Sequence, residues 1–166
     1  MSEHRLNVTE AIDRAIRLHG QETYPHECCG ALVGRDGAVT AIVELPNTTA
    51  EGPRRRFMVR PSDYQLAERR ATELGGELLG FYHSHPDHPA RPSQYDLDHA
   101  WPTFAYIIVA VAGDGLPRSA EGATTEAAKA GDMTVWYLKH DRSSFEEGSL
   151  HYGENSHSDT APAVHR

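Results

Sequence analysis

Residues 77–96 read ELLGFYHSHPDHPARPSQYD, and the rest of the chain is organised around this stretch. It opens with an apolar run, Leu78, Leu79, Gly80, Phe81 and Tyr82, which follows a glycine pair and ends in aromatics. Such a run reads as a buried strand. His83 and His85 stand at its exit. In a strand, residues i and i+2 point to one face with α-carbons roughly 6.5–7 Å apart, so both imidazoles can reach one metal ion. Pro86 has no amide hydrogen to donate, and the strand is expected to end there. A polar turn over residues 87–92 follows. Ser93 and Asp96 then have the spacing of a helix start, a side-chain cap followed three residues later by a carboxylate. Asp96, in the first turn, can swing back towards the strand end. Two imidazoles and one carboxylate around one point, with a fourth position left to water, form the ligand set of catalytic rather than structural zinc. Taken singly the pieces are ordinary. A His-x-His can arise by chance in a chain with 11 histidines, and Ser-x-x-Asp is by itself a plain capping box. Together at a strand-to-helix junction they are specific.

The chain has 166 residues, which suits one domain with a real core. Its net charge is -8, from 16 basic and 24 acidic residues, which argues against a broad nucleic-acid footprint. Arg54-Arg55-Arg56 is the dense basic run and reads as a solvated loop. No apolar stretch approaches a membrane span, and MSEHRLNVTE lacks the apolar core of a signal peptide, so cytoplasmic residence is the expectation. The two cysteines, Cys28 and Cys29, are adjacent. They offer neither a disulfide framework nor a Cys-x-x-Cys knuckle, and they read as small buried side chains.

Along the chain, residues 8–19 carry near-helical apolar spacing, with Gly20 as a natural stop. Residues 29–33 read as a buried strand, Arg35-Asp36-Gly37 as a hairpin-like turn, and residues 38–45 as a second strand in which Val39, Ala41 and Val43 share a face. Residues 46–56 read as a polar loop and 57–59 as a short strand. Ser62-Asp63-Tyr64-Gln65 reads as a capping box opening a helix that Gly75-Gly76 ends. The helix after Ser93 is expected to be short, because Pro102 follows Trp101. Residues 105–112, AYIIVAVA, form the most apolar run and read as a central strand. Residues 113–123 read as a loop, 125–130 as either helix or strand, and 133–138 as the last strand. The domain is thus expected to occupy residues 1–147. The polar stretch 148–166, with three histidines, reads as a disordered tail. Strands alternating with two or three helices give an α/β sandwich.

His83-Ser84-His85-Pro86, six further residues, then Ser93-x-x-Asp96 resembles the signature of the JAMM metalloproteases, also called MPN-plus or JAB-domain proteins. The resemblance covers roughly residues 8–140. It implies a curved mixed β-sheet flanked by helices, related to the cytidine deaminases, and one zinc ion per chain on His83, His85 and Asp96. Activated water needs a base to take its proton and pass it to the leaving amine. Glu27 is the candidate, immediately before a predicted core strand in HECCGALVG. The family places a glutamate before a Cys-Gly or similar pair and an apolar strand, and Glu27, Cys29, Gly30 and Gly34 match that pattern. Ser93 gains from the resemblance a role in stabilising the oxyanion, which is compatible with capping because a hydroxyl both donates and accepts. Ser84 should face away from the metal by strand alternation. His26, His88, His99 and Asp98 fall outside the motif.

The resemblance implies hydrolysis of a peptide or isopeptide bond after the C-terminal glycine of a ubiquitin-like or sulfur-carrier protein, removing for example an attached cysteine or lysine adduct. The brevity of the chain points to the small stand-alone prokaryotic type. Loops 46–56 and 86–92 are the expected walls of the substrate groove, with Arg54 to Arg56 available to an acidic carrier surface. An MPN-type scaffold that keeps zinc without peptidase activity is the alternative. A zinc deaminase would need a His-x-Glu and a later Pro-Cys-x-x-Cys, and neither occurs.

Overall fold

The computed structural model describes residues 4–46, 59–113, 128–153 and 164–165. A first strand, β1 (Arg5–Val8), leads into α1 (Glu10–Thr23), which Thr9 caps by accepting from the Ile12 amide. The helix does not stop at Gly20. A β-carbon at Gly20 would lie 2.9 Å from Val111 Cγ2. The glycine therefore serves close helix–sheet packing, and the helix ends a turn later.

The hairpin of β2 (Cys29–Arg35) and β3 (Ala38–Leu45) forms as expected, turning through Asp36 and Gly37 with φ of 52° and 74°. That left-handed pair matches the strand twist. The simple alternation expected in β3 does not hold. A register shift between Val33 and Gly34 puts Val39 and Ile42 in one core layer and Ala41 and Val43 in the other.

The next helix, α2 (Pro61–Glu73), starts one residue before the expected capping box. Arg60 holds the N-cap position, and Asp63 Oδ2 accepts its amide at 3.2 Å. Ser62 thus lies inside the first turn. Of the short strand expected at 57–59, Val59 is buried and not in a strand, whereas Phe57 and Met58 lie outside the described residues, as do Arg54 to Arg56.

Then follow β4 (Glu77–Pro86), the short α3 (Gln94–Asp98), β5 (Ala105–Gly113), β6 (Ala128–Leu138), β7 (Phe145–Glu147), β8 (Ser149–Tyr152) and β9 (Val164–His165). The open choice over residues 125–130 resolves to strand from Ala128 onward. The strands form one mixed sheet in the order β7-β6-β5-β4-β2-β3-β1-β8, with β9 beside β3. β4 pairs antiparallel with β2 and parallel with β5. One face of the sheet packs Ile12 and Ile16 of α1 against Leu32, Tyr82, Ile107 and Val109. The other packs Ala67 and Ala71 of α2 against Ala31, Val33, Phe81 and Tyr106. Covered on both faces, β5 needs its continuous apolar run. Among the described residues no helix is long and apolar enough to cross a membrane.

The sheet curls. Only Gly148 separates β7 from β8, yet these strands lie at opposite ends of the strand order. The Gly148 amide donates to Val135 O at 2.8 Å, and the next amide, of Ser149, donates to His4 O at 2.9 Å. A β-carbon on Gly148 would stand 2.7 Å from both the His4 carbonyl oxygen and Tyr137 Cε1. Part of the stretch 148–166, read as a disordered tail, is in strands, whereas residues 154–163 and 166 lie outside the described residues. Residues 149–152 pair with β1 from Arg5↔Ser149 to Val8↔Tyr152, and 164–165 pair with β3. The folded part therefore extends past residue 147. Backbone pairing holds these polar residues, together with the packing of Leu150 on the core, and neither leaves an apolar period in the sequence.

Candidate metal centre

The site is built on β4 and the start of α3. Phe81 packs in the α2 layer and Tyr82 in the α1 layer. By the two-residue period His83 and His85 fall on the α2 side. Ser84 turns to the opposite side, where its Oγ accepts from the Cys28 amide at 2.8 Å and its β-carbon approaches Gly20. β4 ends at Pro86 as expected.

Ser93 caps α3 and the box is reciprocal. Asp96 N donates to Ser93 Oγ at 3.1 Å, and Ser93 N donates to Asp96 Oδ2 at 2.8 Å. That same Oδ2 lies 3.4 Å from His83 Nε2 and 3.2 Å from His85 Nε2, and the two Nε2 atoms are 3.1 Å apart. The helix start is therefore both cap and part of the cluster. The three atoms fit a zinc ion, since ligands at ~2.0–2.1 Å in tetrahedral array stand about 3.3–3.4 Å from one another. Among the described residues, this is the group of His, Cys, Asp and Glu that could hold a metal ion.

The three groups differ in their electrostatics. Burial is the largest influence on His83 and lowers its pKa, against the raising effect of Asp96, so a neutral, ligating imidazole is favoured. Burial also pulls His85 down. Bonding to Asp96, its charge, the Pro89 carbonyl and the charge of Glu27 outweigh this, and the His85 pKa is raised. Burial would raise Asp96, but His83, His85 and the Ser93 amide hold the carboxylate well below its usual range. The ring of His85 is oriented from behind: its Nδ1 stands 2.8 Å from the Pro89 carbonyl. A carbonyl only accepts, so Nδ1 carries a hydrogen, and in the neutral ring Nε2 is then the nitrogen with a lone pair for the cluster.

Glu27 lies just before β2 and is 8% exposed. The ladder pairs Cys29 with His83, and Ser84 N donates to Cys28 O. Continuing that register sets Glu27 across from His85, and Glu27 shares its face with Cys29, which packs in the α2 layer. Its charge acts on His85. Val59, Ala100, Tyr106, Ile108 and Phe145 form an apolar hollow against His83 and Asp96. His99, placed outside the motif, also borders this hollow and stacks on Tyr95 at 4.0 Å. His88 and His26 are exposed, and Asp98 accepts from Gln94 Nε2. Cys28 and Cys29 are free and buried on opposite faces of the sheet. The contact of Pro89 with His85 and the bond from Tyr24 to Asp87 are visible only in the structure. No local pattern marks a carbonyl as a histidine's partner.

A curled mixed sheet with helices on both faces, carrying a buried His-His-Asp group at a strand end, defines an α/β domain able to hold a catalytic metal. The sequence model of the family described as prokaryotic homologs of the JAB domain matches residues 9–125, and the chain belongs to that family. It is 33% identical over 115 residues to a desampylase of Haloferax volcanii, an alignment covering 65% of this chain and 82% of that protein. To a CysO-cysteine peptidase of Mycobacterium tuberculosis it is 34% identical over 97 residues, 57% of this chain and 66% of the relative. A solution structure from Salinibacter ruber superposes with a TM-score of 0.64 at 34% identity, covering 97% of this chain and all of the other. The membership and the peptidase relatives agree with the fold and the enzyme class that the resemblance implies.

Proposed function

We propose that this chain is a zinc-dependent peptidase, with one ion per chain on His83, His85 and Asp96. It hydrolyses the bond after the C-terminal glycine of a ubiquitin-like or sulfur-carrier protein, releasing an attached cysteine or lysine adduct. The observation that carries the reading is the convergence of three ligand atoms at 3.1, 3.2 and 3.4 Å from one another beneath an apolar hollow. The carrier class rests on the names of the desampylase and CysO-cysteine peptidase relatives. A cytoplasmic setting fits two free cysteines and the absence of disulfides among the described residues.

A zinc ion held by these residues would supply Lewis acidity and bring the pKa of a water into the neutral range. Glu27 takes the proton of the attacking water. As the carbonyl carbon gains the water oxygen, its bond to the amine nitrogen breaks, and Glu27 returns the proton to that nitrogen. Ser93 spends an oxygen lone pair on the Asp96 amide. Its hydroxyl hydrogen remains to donate to the oxyanion formed at the carbonyl. The Pro89 carbonyl keeps His85 in the ligating tautomer, and the apolar wall keeps bulk water away.

The test uses a carrier ending in Gly-Gly that bears either a C-terminal cysteine or an isopeptide-linked lysine peptide, incubated with zinc-loaded protein and read by intact mass. Loss of the adduct by the wild type, and not by Glu27→Gln, is expected. A zinc-loaded wild type that leaves both adducts intact overturns the reading.

A further inference from the structure

Asp87 directly follows β4 with φ of 57°, in the left-handed region. An L-residue there is disfavoured, and aspartate tolerates it through its own hydrogen bonds. Here three bonds hold it. Its amide donates to Val111 O at 2.7 Å, its Oδ1 accepts from Gly113 N at 3.1 Å, and its Oδ2 accepts from Tyr24 Oη at 2.5 Å. The partners lie on two segments. Val111 and Gly113 close β5, and Tyr24 begins the connection from α1 to β2, three residues before Glu27.

The turn that Asp87 opens has one duty at the cluster. Two residues on, the Pro89 carbonyl accepts from both His85 Nδ1 and the Arg91 amide, each at 2.8 Å. The neighbouring carbonyl, Ala90 O, is held by Thr134 Oγ1 at 2.7 Å. One end of the turn is thus fixed by β6 and the other by Asp87.

We propose that Asp87 is a positioning residue that joins the two halves of the site, and that the Tyr24–Asp87 bond is the joint. Through the turn, it places the carbonyl that fixes His85. Through Tyr24, it holds the segment delivering Glu27 in register with that turn. The assignment rests on the reading of His85 as a zinc ligand. Partners one step behind a metal ligand are worth 10–100-fold in metal affinity, and Asp87, acting through Pro89, belongs at about tenfold.

The experiment compares full-length variants by zinc affinity, measured in competition with a chromophoric chelator, and by kcat and KM on the carrier adduct. Tyr24→Phe removes one arm without touching the turn's backbone. Asp87→Gly keeps the left-handed conformation and removes both arms. Asp87→Asn keeps the conformation, an acceptor for Gly113 N and a polar partner for Tyr24. The control is Tyr152→Phe, which breaks another tyrosine–aspartate bond, Tyr152 Oη to Asp13 Oδ2 at 2.7 Å, between β8 and α1. We expect about tenfold weaker zinc binding in Asp87→Gly, a smaller but measurable loss in Tyr24→Phe, and recovery in Asp87→Asn. Tyr152→Phe should bind as the wild type does, and kcat should fall in the first two with KM unchanged. Zinc affinity in Tyr24→Phe and Asp87→Gly equal to that of Tyr152→Phe overturns the proposal. A wild type that binds zinc without turnover overturns only the peptidase reading, because the affinity comparison still stands. A wild type that binds no zinc overturns both.

Discussion

Replacing Glu27 by glutamine separates proton handling from metal holding. The side chain is 8% exposed and sits two residues ahead of β2, so an isosteric amide can occupy its place without opening a cavity. The amide cannot accept a proton. General acid–base groups contribute 10²–10⁴-fold, and one that serves both attack and departure belongs at about 10⁴, or about 5.5 kcal/mol of barrier. The ligand atoms on His83, His85 and Asp96 pack against one another and against the Ser93 amide without Glu27. Metal content should therefore stay near one per chain while turnover collapses. Asp96→Asn should behave differently. The oxygen it alters faces both imidazoles at 3.2 and 3.4 Å, so zinc and activity should be lost together. Metal content by elemental analysis and kcat on the carrier adduct, from the same preparations, decide the matter. Near-normal turnover in Glu27→Gln would show that another group is the base. Zinc lost as completely as in Asp96→Asn would make Glu27 a ligand and remove the open position on which the chemistry depends.

Ser93→Ala should lose about 1 kcal/mol of stability with its cap. It should also lose about 10²–10³-fold in kcat with its oxyanion donor. Ser93→Gly, which caps almost as well, should recover the stability and not the rate. Gly148→Ala should lower stability by about 1–3 kcal/mol, because its β-carbon would press on the His4 carbonyl and the Tyr137 ring. Truncation after residue 147 should lower the thermal midpoint by stripping β8 from β1; an unchanged midpoint would show that the strand does not dock. Burial pushes the Cys28 thiol from its ordinary value near 9 up to about 12. The unfolded chain then ionises first, so stability conferred below pH 9 is lost as pH rises from 9 towards about 12, at ~1.4 kcal/mol per unit from this group. Urea midpoints at pH 8 and pH 10.5 should fall less steeply in Cys28→Ala, and parallel slopes would refute the assignment.

The parts of the site that repeat over two or three residues were legible in the sequence. His83 and His85 share a face because a strand alternates, and Ser93 and Asp96 meet because a helix start brings residue i and i+3 together. β4, β5 and the β2–β3 hairpin were legible for the same reason, since their runs and turn residues act over a few bonds. The chemistry of residues 27–34 was readable only through family resemblance. What sets Glu27 opposite His85 is the ladder register between β2 and β4, more than fifty residues apart in the chain. Tertiary structure decided what rests on such long-range pairing. Gly20 reads locally as a helix stop, and only the approach of Val111 shows it to be a contact. Residues 149–152 are polar and without period, so nothing short-range distinguishes them from a solvated tail. Their order comes from backbone bonds to β1 at the far end of the chain and from a sheet curled until its edges meet at Gly148. The joint between Tyr24 and Asp87 was hidden for the same physical reason. A hydrogen bond between side chains sixty-three positions apart leaves no periodicity, and it exists only once the sheet has brought both chain reversals to the same edge of the metal centre.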